Sequence, residues 1–356
     1  MANIKLVLED GTEFRGKSFG YEGSASGEVV FCTAMSGYTE SLADPSYKGQ
    51  ILALSYPLVG NSGVANDKRE NDIPQYFESD TMHVSALVAL DYSEDYSHWN
   101  ADKSLDDWMK KSRVPGIYGV DTRSLTKKLR ENGNMLGKVI FQDWDIPQTN
   151  PYDDNLVEMV SCKEKIVYGN GSIRVLLVDC GVQNNVIRNL LAAGVTVVRT
   201  PWNYDFTSED YDGLLISGGP GDPKKCVATI NNVAKALQGV KPIMGISLGA
   251  QIMALASGAD TFKLKYGHRS RNQPVRRVGS QTAIITSQNH SFAINANTLP
   301  ADWEPFYVNL NDATNEGIRH KTKPFFSAQF HPEPSGEKTD EECMFASFIQ
   351  SLEYRV

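Results

Sequence analysis

From residue 173 to residue 257 the chain alternates short apolar runs with amphipathic stripes, and that order of elements leaves few folds open. Residues 173–179 make an apolar run suited to a strand covered on both faces. In 184–193, Val186, Ile187, Leu190 and Leu191 share one helical stripe, with Gly194 placed to stop it. Further strands are expected at 195–199, 213–217 and 242–246, and helices at 227–237 and 248–257. Strand, helix, strand, helix implies a doubly wound α/β domain with a mainly parallel central sheet. Such sheets bind ligands at the carboxyl ends of their strands.

The first 140 residues read differently. Apolar runs at 4–8, 28–33, 51–56 and 84–90 suit strands, Asp10-Gly11 suits a hairpin turn, and 139–141 suits a closing strand. Helices are expected at 104–112 and 122–132, giving a mixed, strand-rich α/β domain. Pro147, Pro151, Asp153-Asp154 and Gly169-Asn170-Gly171 then mark a linker at 146–171. The expected domains are therefore 1–145 and 172–356, which suits 356 residues at roughly 150 per domain. A last helix at 340–352 carries Met344, Phe345, Phe348, Ile349 and Leu352 on one stripe, with Thr339 and Glu342 as a capping box.

Composition narrows the function classes. Thirty-five basic against 43 acidic residues leave a net charge of −8, which argues against wrapping a nucleic-acid backbone. Five scattered cysteines with no CxxC pair read as thiols of a reducing compartment. The N-terminus lacks the pattern of a signal peptide, and no run reaches the roughly 18 apolar residues of a membrane span. The expected compartment is the cytoplasm, with no membrane partner.

The sharpest chemical feature is Gly245-Ile246-Ser247-Leu248-Gly249, set between an expected strand and helix. A tight strand-to-helix turn lifts its central side chain clear of the backbone, and flanking glycines let the chain bend that hard. The Leu248 N–H then becomes an oxyanion donor beside Ser247. The same residues also suit a plain turn holding an ordinary serine. A literal G-x-S-x-G suggests a serine hydrolase, whose partners follow in the order serine, acid, histidine. Here the plausible base is His331, and Glu333 lies two residues beyond it on the same face of an extended segment. That order points away from esterases and lipases without excluding a base oriented by a carboxylate. Ser217-Gly218-Gly219-Pro220-Gly221-Asp222-Pro223 is a stiff loop able to bring backbone N–H groups close to a ligand, and equally a tight β–α turn.

Together the elbow, the Gly-Gly-Pro-Gly-Asp-Pro loop and the His-Pro-Glu segment resemble the class I (triad) glutamine amidotransferases. Leu8-Glu9-Asp10-Gly11, Gly27-Glu28-Val29-Val30-Phe31, Asp44-Pro45-Ser46-Tyr47 and Gly119-Val120-Asp121-Thr122-Arg123 narrow the resemblance to the small, glutaminase chain of carbamoyl phosphate synthetase. Lys265-Tyr266-Gly267-His268-Arg269 and Asn272-Gln273-Pro274 fit the same family. The resemblance implies that position 247 is the nucleophile, His331 the general base and acid, and Glu333 its orienting carboxylate. It implies oxyanion donors at Gly219 and Leu248. Glutamine would be held by Ser46, Gly219, Gly221, Leu248, Gln251, Asn289, Ser291 and Phe292. Ammonia would pass to a large synthetase chain or fused synthetase domain, in which alone ATP, bicarbonate and magnesium are expected. Residues 97–99 and 299–303 are similar to the multifunctional pyrimidine-pathway version, which implies a domain of a longer polypeptide serving pyrimidine or arginine synthesis.

One departure outweighs these matches. The family's nucleophile is cysteine, and position 247 is serine. A thiol of pKa about 8.5 ionises readily beside a histidine and a helix N-terminus, whereas a serine hydroxyl is far less acidic. The chain is expected to bind glutamine and to hydrolyse it very slowly or not at all. Ammonia-dependent relatives carry serine here naturally, and a serine can also be introduced to trap glutamine. The otherwise intact site favours the second origin. Ser291 stands where the family has glycine, and Ala250 where it often has histidine. The basic run around His268, with Lys263, Lys265, Arg269, Arg271, Arg276 and Arg277, reads as a solvated loop or a docking surface. His83, His98, His290 and His320 read as structural. No two histidines have metal-ligand spacing with a carboxylate, so no metal is expected.

Overall fold

A computed structural model describes residues 3–332 and 342–353. The chain forms two compact units, Met1–Asp154 and Asn155–Val356.

The first unit is built on a closed barrel of seven strands. They are β1 (Asn3–Leu8), β2 (Glu13–Gly20), β3 (Ala25–Cys32), β4 (Gln50–Leu54), β5 (Ala86–Val88), β6 (Pro115–Tyr118) and β7 (Met135–Phe141). Around the barrel they follow the order β1-β7-β3-β4-β5-β6-β2, with β3, β4, β5 and β6 parallel to their neighbours in that run. Alternation decides the two faces. Val29, Phe31, Ile51, Ala53 and Val88 join one apolar cluster, while Val30, Cys32, Leu52, Leu54 and Leu87 join another. Leu125 and Leu129 of the helix Thr122–Asn132 pack into the first of these. That helix starts where Asp121 accepts from Ser124 N at 2.9 Å. Asp121→Ala is expected to lower the urea midpoint of the first unit by removing this cap.

The second unit holds a sheet of ten strands. They are β8 (Ile166–Tyr168), β9 (Arg174–Asp179), β10 (Thr196–Pro201), β11 (Gly213–Ile216), β12 (Ile243–Ile246), β13 (Asp260–Arg277), β14 (Ala283–Asn295), β15 (Trp303–Asn309), β16 (Asn315–His320) and β17 (Phe325–Ala328). The spatial order is β8-β10-β9-β11-β12-β17-β16-β14-β13-β15. The five central strands β10-β9-β11-β12-β17 are all parallel. Helices α1 (Asn184–Ala192), α2 (Val227–Ala236) and α3 (Leu248–Ser257) lie in the connections that follow β9, β11 and β12, and α4 (Glu342–Glu353) closes the described chain. The capping box expected ahead of α4 begins outside the described residues.

Two features differ from the reading of the sequence. The stretch 146–171 carries a 3-10 turn at Pro151–Asp153, a helix at Leu156–Val160 and the edge strand β8. Its proline and asparagines start these elements, Pro151 in the first turn and Asn150 and Asn155 as N-caps, using the same residue types that make loops. The basic run, expected as a solvated loop or a docking surface, is not a loop but the long strand β13, with Lys263, Lys265, Arg271, Arg276 and Arg277 exposed and His268, Arg269 and Ser270 buried. Among the described residues, no helix is long and apolar enough to cross a membrane.

Candidate active site

The parallel register brings the strand ends into one row. Ile216 of β11 pairs with Gly245 of β12, and Ile246 pairs with Ala328 of β17. Beyond these ends lie the loop at 217–221, Ser247, and the segment running to His331. Ser247 N donates to Ala328 O at 2.8 Å, and His331 N to Ser287 O at 3.0 Å.

Ser247 has φ 50° and ψ −111°, a conformation that an L-residue adopts only when its surroundings enforce it. The enforcing contacts are backbone ones. A methyl added at Gly245 would fall 2.6 Å from Gly249 O, and one at Gly249 would fall 2.1 Å from Ile216 O. Strand and helix thus touch through glycine on both sides of the serine. Helix α3 opens with Ala250 N and Gln251 N donating to Ser247 O at 3.0 and 3.3 Å. The Leu248 and Gly249 amides precede that ladder, and the Ser247 hydroxyl makes no cap bond to the helix. Two of the donors that a helix N-terminus leaves over therefore sit directly after the serine.

The glycine loop closes over this point. A methyl at Gly218 would lie 3.5 Å from Ser247 Cβ and 3.9 Å from His331 Cε1, so serine and histidine flank one spot. Gly219 is pressed on the backbone of Cys180, where an added Cβ would come within 1.9 Å of the carbonyl oxygen. Ser217 Oγ accepts from Cys180 N and donates to Gly218 O, both at 2.9 Å. Gly221 has φ +90° and faces Leu156.

A buried carboxylate that the sequence reading passed over holds the neighbouring turn. Asp179 Oδ1 accepts from Gly181 N and Val182 N at 2.9 and 2.8 Å, and Oδ2 accepts from Cys162 N at 2.8 Å. Arg199 adds Nε and Nη2 to Oδ2 at 2.9 and 2.7 Å. Every lone pair is engaged, so Asp179 is a positioning group and not a base. Its only sequence signal is an acid ending an apolar run.

Of the residues expected to hold glutamine, Gln251 is fully buried on α3. Its Nε2 donates to Phe292 O at 2.9 Å and Gln329 Oε1 at 3.1 Å, while its Oε1 has no hydrogen-bond partner among the described residues. Asn289, Ser291 and Phe292 lie buried on β14. Ser291 Oγ accepts from Nη2 of Arg269, a buried guanidinium that also donates from Nη1 to Tyr266 O at 2.9 Å. The Ser291 hydroxyl therefore has a fixed partner, which the sequence reading missed. Ser46 belongs to the first unit, buried in the short turn Pro45–Tyr47 with its N donating to Asp44 Oδ1 at 2.8 Å. Glu333 lies outside the described residues.

Beside this region His268 is buried, its Nε2 against Asp312 Oδ2 at 2.8 Å and its Nδ1 against Glu316 Oε1 at 3.3 Å. Burial works against its charged form, and its hydrogen bonds to the two carboxylates overcome this, raising its pKa to about 9. His290 is pushed well down by burial and by the charge of His268.

The comparisons with known proteins agree with the two-unit architecture. Residues 6–139 match the model of the carbamoyl-phosphate synthase small chain, CPSase domain, and residues 176–351 match glutamine amidotransferase class-I. The mitochondrial carbamoyl-phosphate synthase (ammonia) of Rattus norvegicus is 49% identical over 98% of this chain and 23% of its own length. Multifunctional protein CAD of Squalus acanthias is 48% identical over 97% of this chain and 16% of its own length. Multifunctional protein pyr1-3 of Dictyostelium discoideum is 46% identical over 98% and 17%. The chain thus spans less than a quarter of the length of these relatives. It belongs to the carbamoyl-phosphate synthase small-chain family, a small-chain domain followed by a class-I glutamine amidotransferase domain.

Proposed function

We propose that this chain is the glutaminase component of a carbamoyl phosphate synthetase in a serine form, which binds L-glutamine and hydrolyses it very slowly or not at all. In this reading Ser247 occupies the nucleophile position, His331 and Glu333 are its base and orienting acid, and Gly219 and Leu248 donate to the oxyanion. Gly221, Gln251, Asn289, Ser291 and Phe292 complete the glutamine site within the second unit. The observation that carries the proposal is the elbow itself, since a strained φ of 50° at Ser247 between two glycines in backbone contact is a costly feature for an ordinary turn.

The partner is a large synthetase chain or fused synthetase domain, which alone uses ATP, bicarbonate and magnesium to make carbamoyl phosphate for pyrimidine or arginine synthesis. The greater length of the multifunctional relatives supports a fused partner. A second reading has its own support: the vertebrate relatives named as ammonia-type synthases, from rat, mouse and human, are 48–49% identical to this chain. They favour a serine native to the lineage, on a domain that supports an ammonia-using synthetase, over a serine introduced to trap glutamine. The same names carry the word mitochondrial, so the cytoplasmic placement stays a proposal that imaging of the tagged full-length protein decides.

Calorimetry with L-glutamine tests the main reading. Saturable heat at one site per chain is expected, with ammonia release no faster than the enzyme-free blank. A folded chain that takes up no glutamine would remove the proposal, and so would rapid ammonia release.

A further inference from the structure

Three buried side chains outside the elbow converge from separate strands. His268 on β13 and His290 on β14 are register partners, and Glu316 lies on β16. They are 7%, 6% and 0% exposed, and one donor atom from each lies within 4.8 Å of the others. Linear spacing conceals this set, because the antiparallel extension of the sheet assembles it.

Each histidine is already held from outside in the way metal-bound imidazoles are. His268 Nε2 faces the Asp312 carboxylate at 2.8 Å. His290 Nδ1 faces Phe292 O at 2.8 Å, and a carbonyl only accepts, so Nδ1 carries the proton. A carboxylate or carbonyl on the outer nitrogen fixes the ring and leaves the inner nitrogen as ligand. The inner atoms, His268 Nδ1 and His290 Nε2, both point at Gln288 Oε1, at 3.0 and 3.1 Å.

This inner arrangement is frustrated without a cation. Neutral His290 presents a lone pair at Nε2, and Gln288 Oε1 opposes it with another. Turning the amide over would satisfy His290 but break the bond from Gln288 Nε2 to Thr286 Oγ1 at 3.0 Å, and the Thr286 hydroxyl already gives its proton to Gln273 O. Glu316 adds a second defect, since its Oε1 accepts from Asn309 Nδ2 at 3.0 Å while its Oε2 has no partner among the described residues. An unpartnered carboxylate oxygen in a fully buried position is costly. Three of the six separations among the four ligand atoms, 3.0, 3.1 and 3.3 Å, are close to the edge of about 3.3 Å that a tetrahedron with metal–ligand bonds of about 2.05 Å requires.

We propose that His268, His290 and Glu316, with Gln288 as a fourth ligand, bind a divalent transition cation of the zinc class. Binding transfers the Nδ1 proton of His268 to solvent and gives Glu316 and both inner nitrogens a common partner. The cation ties β13, β14 and β16 together. It also braces Phe292 O, which receives both His290 Nδ1 and Gln251 Nε2. The proposal does not depend on glutamine hydrolysis.

The test is titration of the chelator-treated full chain with Co²⁺, followed by visible absorption, and by thermal unfolding with Zn²⁺. One equivalent per chain is expected, with the intense d–d bands of a tetrahedral nitrogen and oxygen site, and a Tm raised by zinc. Glu316→Gln and His290→Gln should each weaken Co²⁺ affinity at least tenfold while circular dichroism stays unchanged. The wild-type titration decides by itself if either variant fails to fold. No binding by the folded wild-type chain overturns the proposal, as does undiminished binding in both variants. A thiolate-to-cobalt charge-transfer band overturns it too, because the metal would then sit on cysteines.

Discussion

Replacing Ser247 with cysteine is expected to raise ammonia release from glutamine by about a thousandfold or more. The geometry that activates a thiol is in place. The side chain sits at the head of a helix whose first amides are outside the ladder, and it shares one spot with His331. A helix N-terminus and a neighbouring histidine each draw a thiol toward thiolate, which a serine hydroxyl cannot follow. The φ of 50° at position 247 is imposed by glycine contacts on either side, so exchanging oxygen for sulfur leaves the turn unchanged. Ammonia is measured by coupling to glutamate dehydrogenase, with and without a synthetase partner. Strong activity in Ser247→Cys supports the glutaminase lineage. Silence even with the partner makes the domain a scaffold. Ester hydrolysis by the serine form, lost in Ser247→Ala, would instead revive the hydrolase reading.

What the sequence made legible follows from where periodicity survives. The central strands of the second unit are covered on both faces, so each reads as an uninterrupted apolar run, and β9, β11 and β12 fall where those runs lie. The elbow was equally readable because its glycines are required by contact. Strand β13 was not. Its outer face is charged, and its pairing with β14 shifts register between Lys263 and His268 and again between Ser270 and Gln273. Each shift breaks the alternation of two that identifies a half-buried strand. Charged residues on such a strand look like a solvated loop, and the buried His268 and Arg269 among them vanish into the run. Closure of the barrel was hidden for a related reason. Its strands were individually visible, but which edges meet is a property of pairings far apart in sequence.

Gly249→Ala is expected to destabilise the second unit by about 3 kcal/mol or more, although alanine is the better helix former by about 1 kcal/mol. The added Cβ would fall 2.1 Å from Ile216 O and 2.9 Å from Ser217 O. Both are backbone atoms of a buried strand end, so no side chain can swing aside and helix α3 itself must retreat. Gly194→Ala is the control, since among the described residues nothing lies within 4 Å of its added Cβ and only its φ of +76° is strained. It should cost about 1 kcal/mol. Gly245→Ala meets Gly249 O at 2.6 Å, so the same retreat of α3 relieves both clashes. The double substitution should therefore cost less than the two single ones added, by about 1 kcal/mol or more. Urea unfolding followed by near-ultraviolet circular dichroism measures all four variants. Additive costs at 245 and 249 would mean that strand and helix yield separately, and that the turn holding Ser247 is not a single rigid joint.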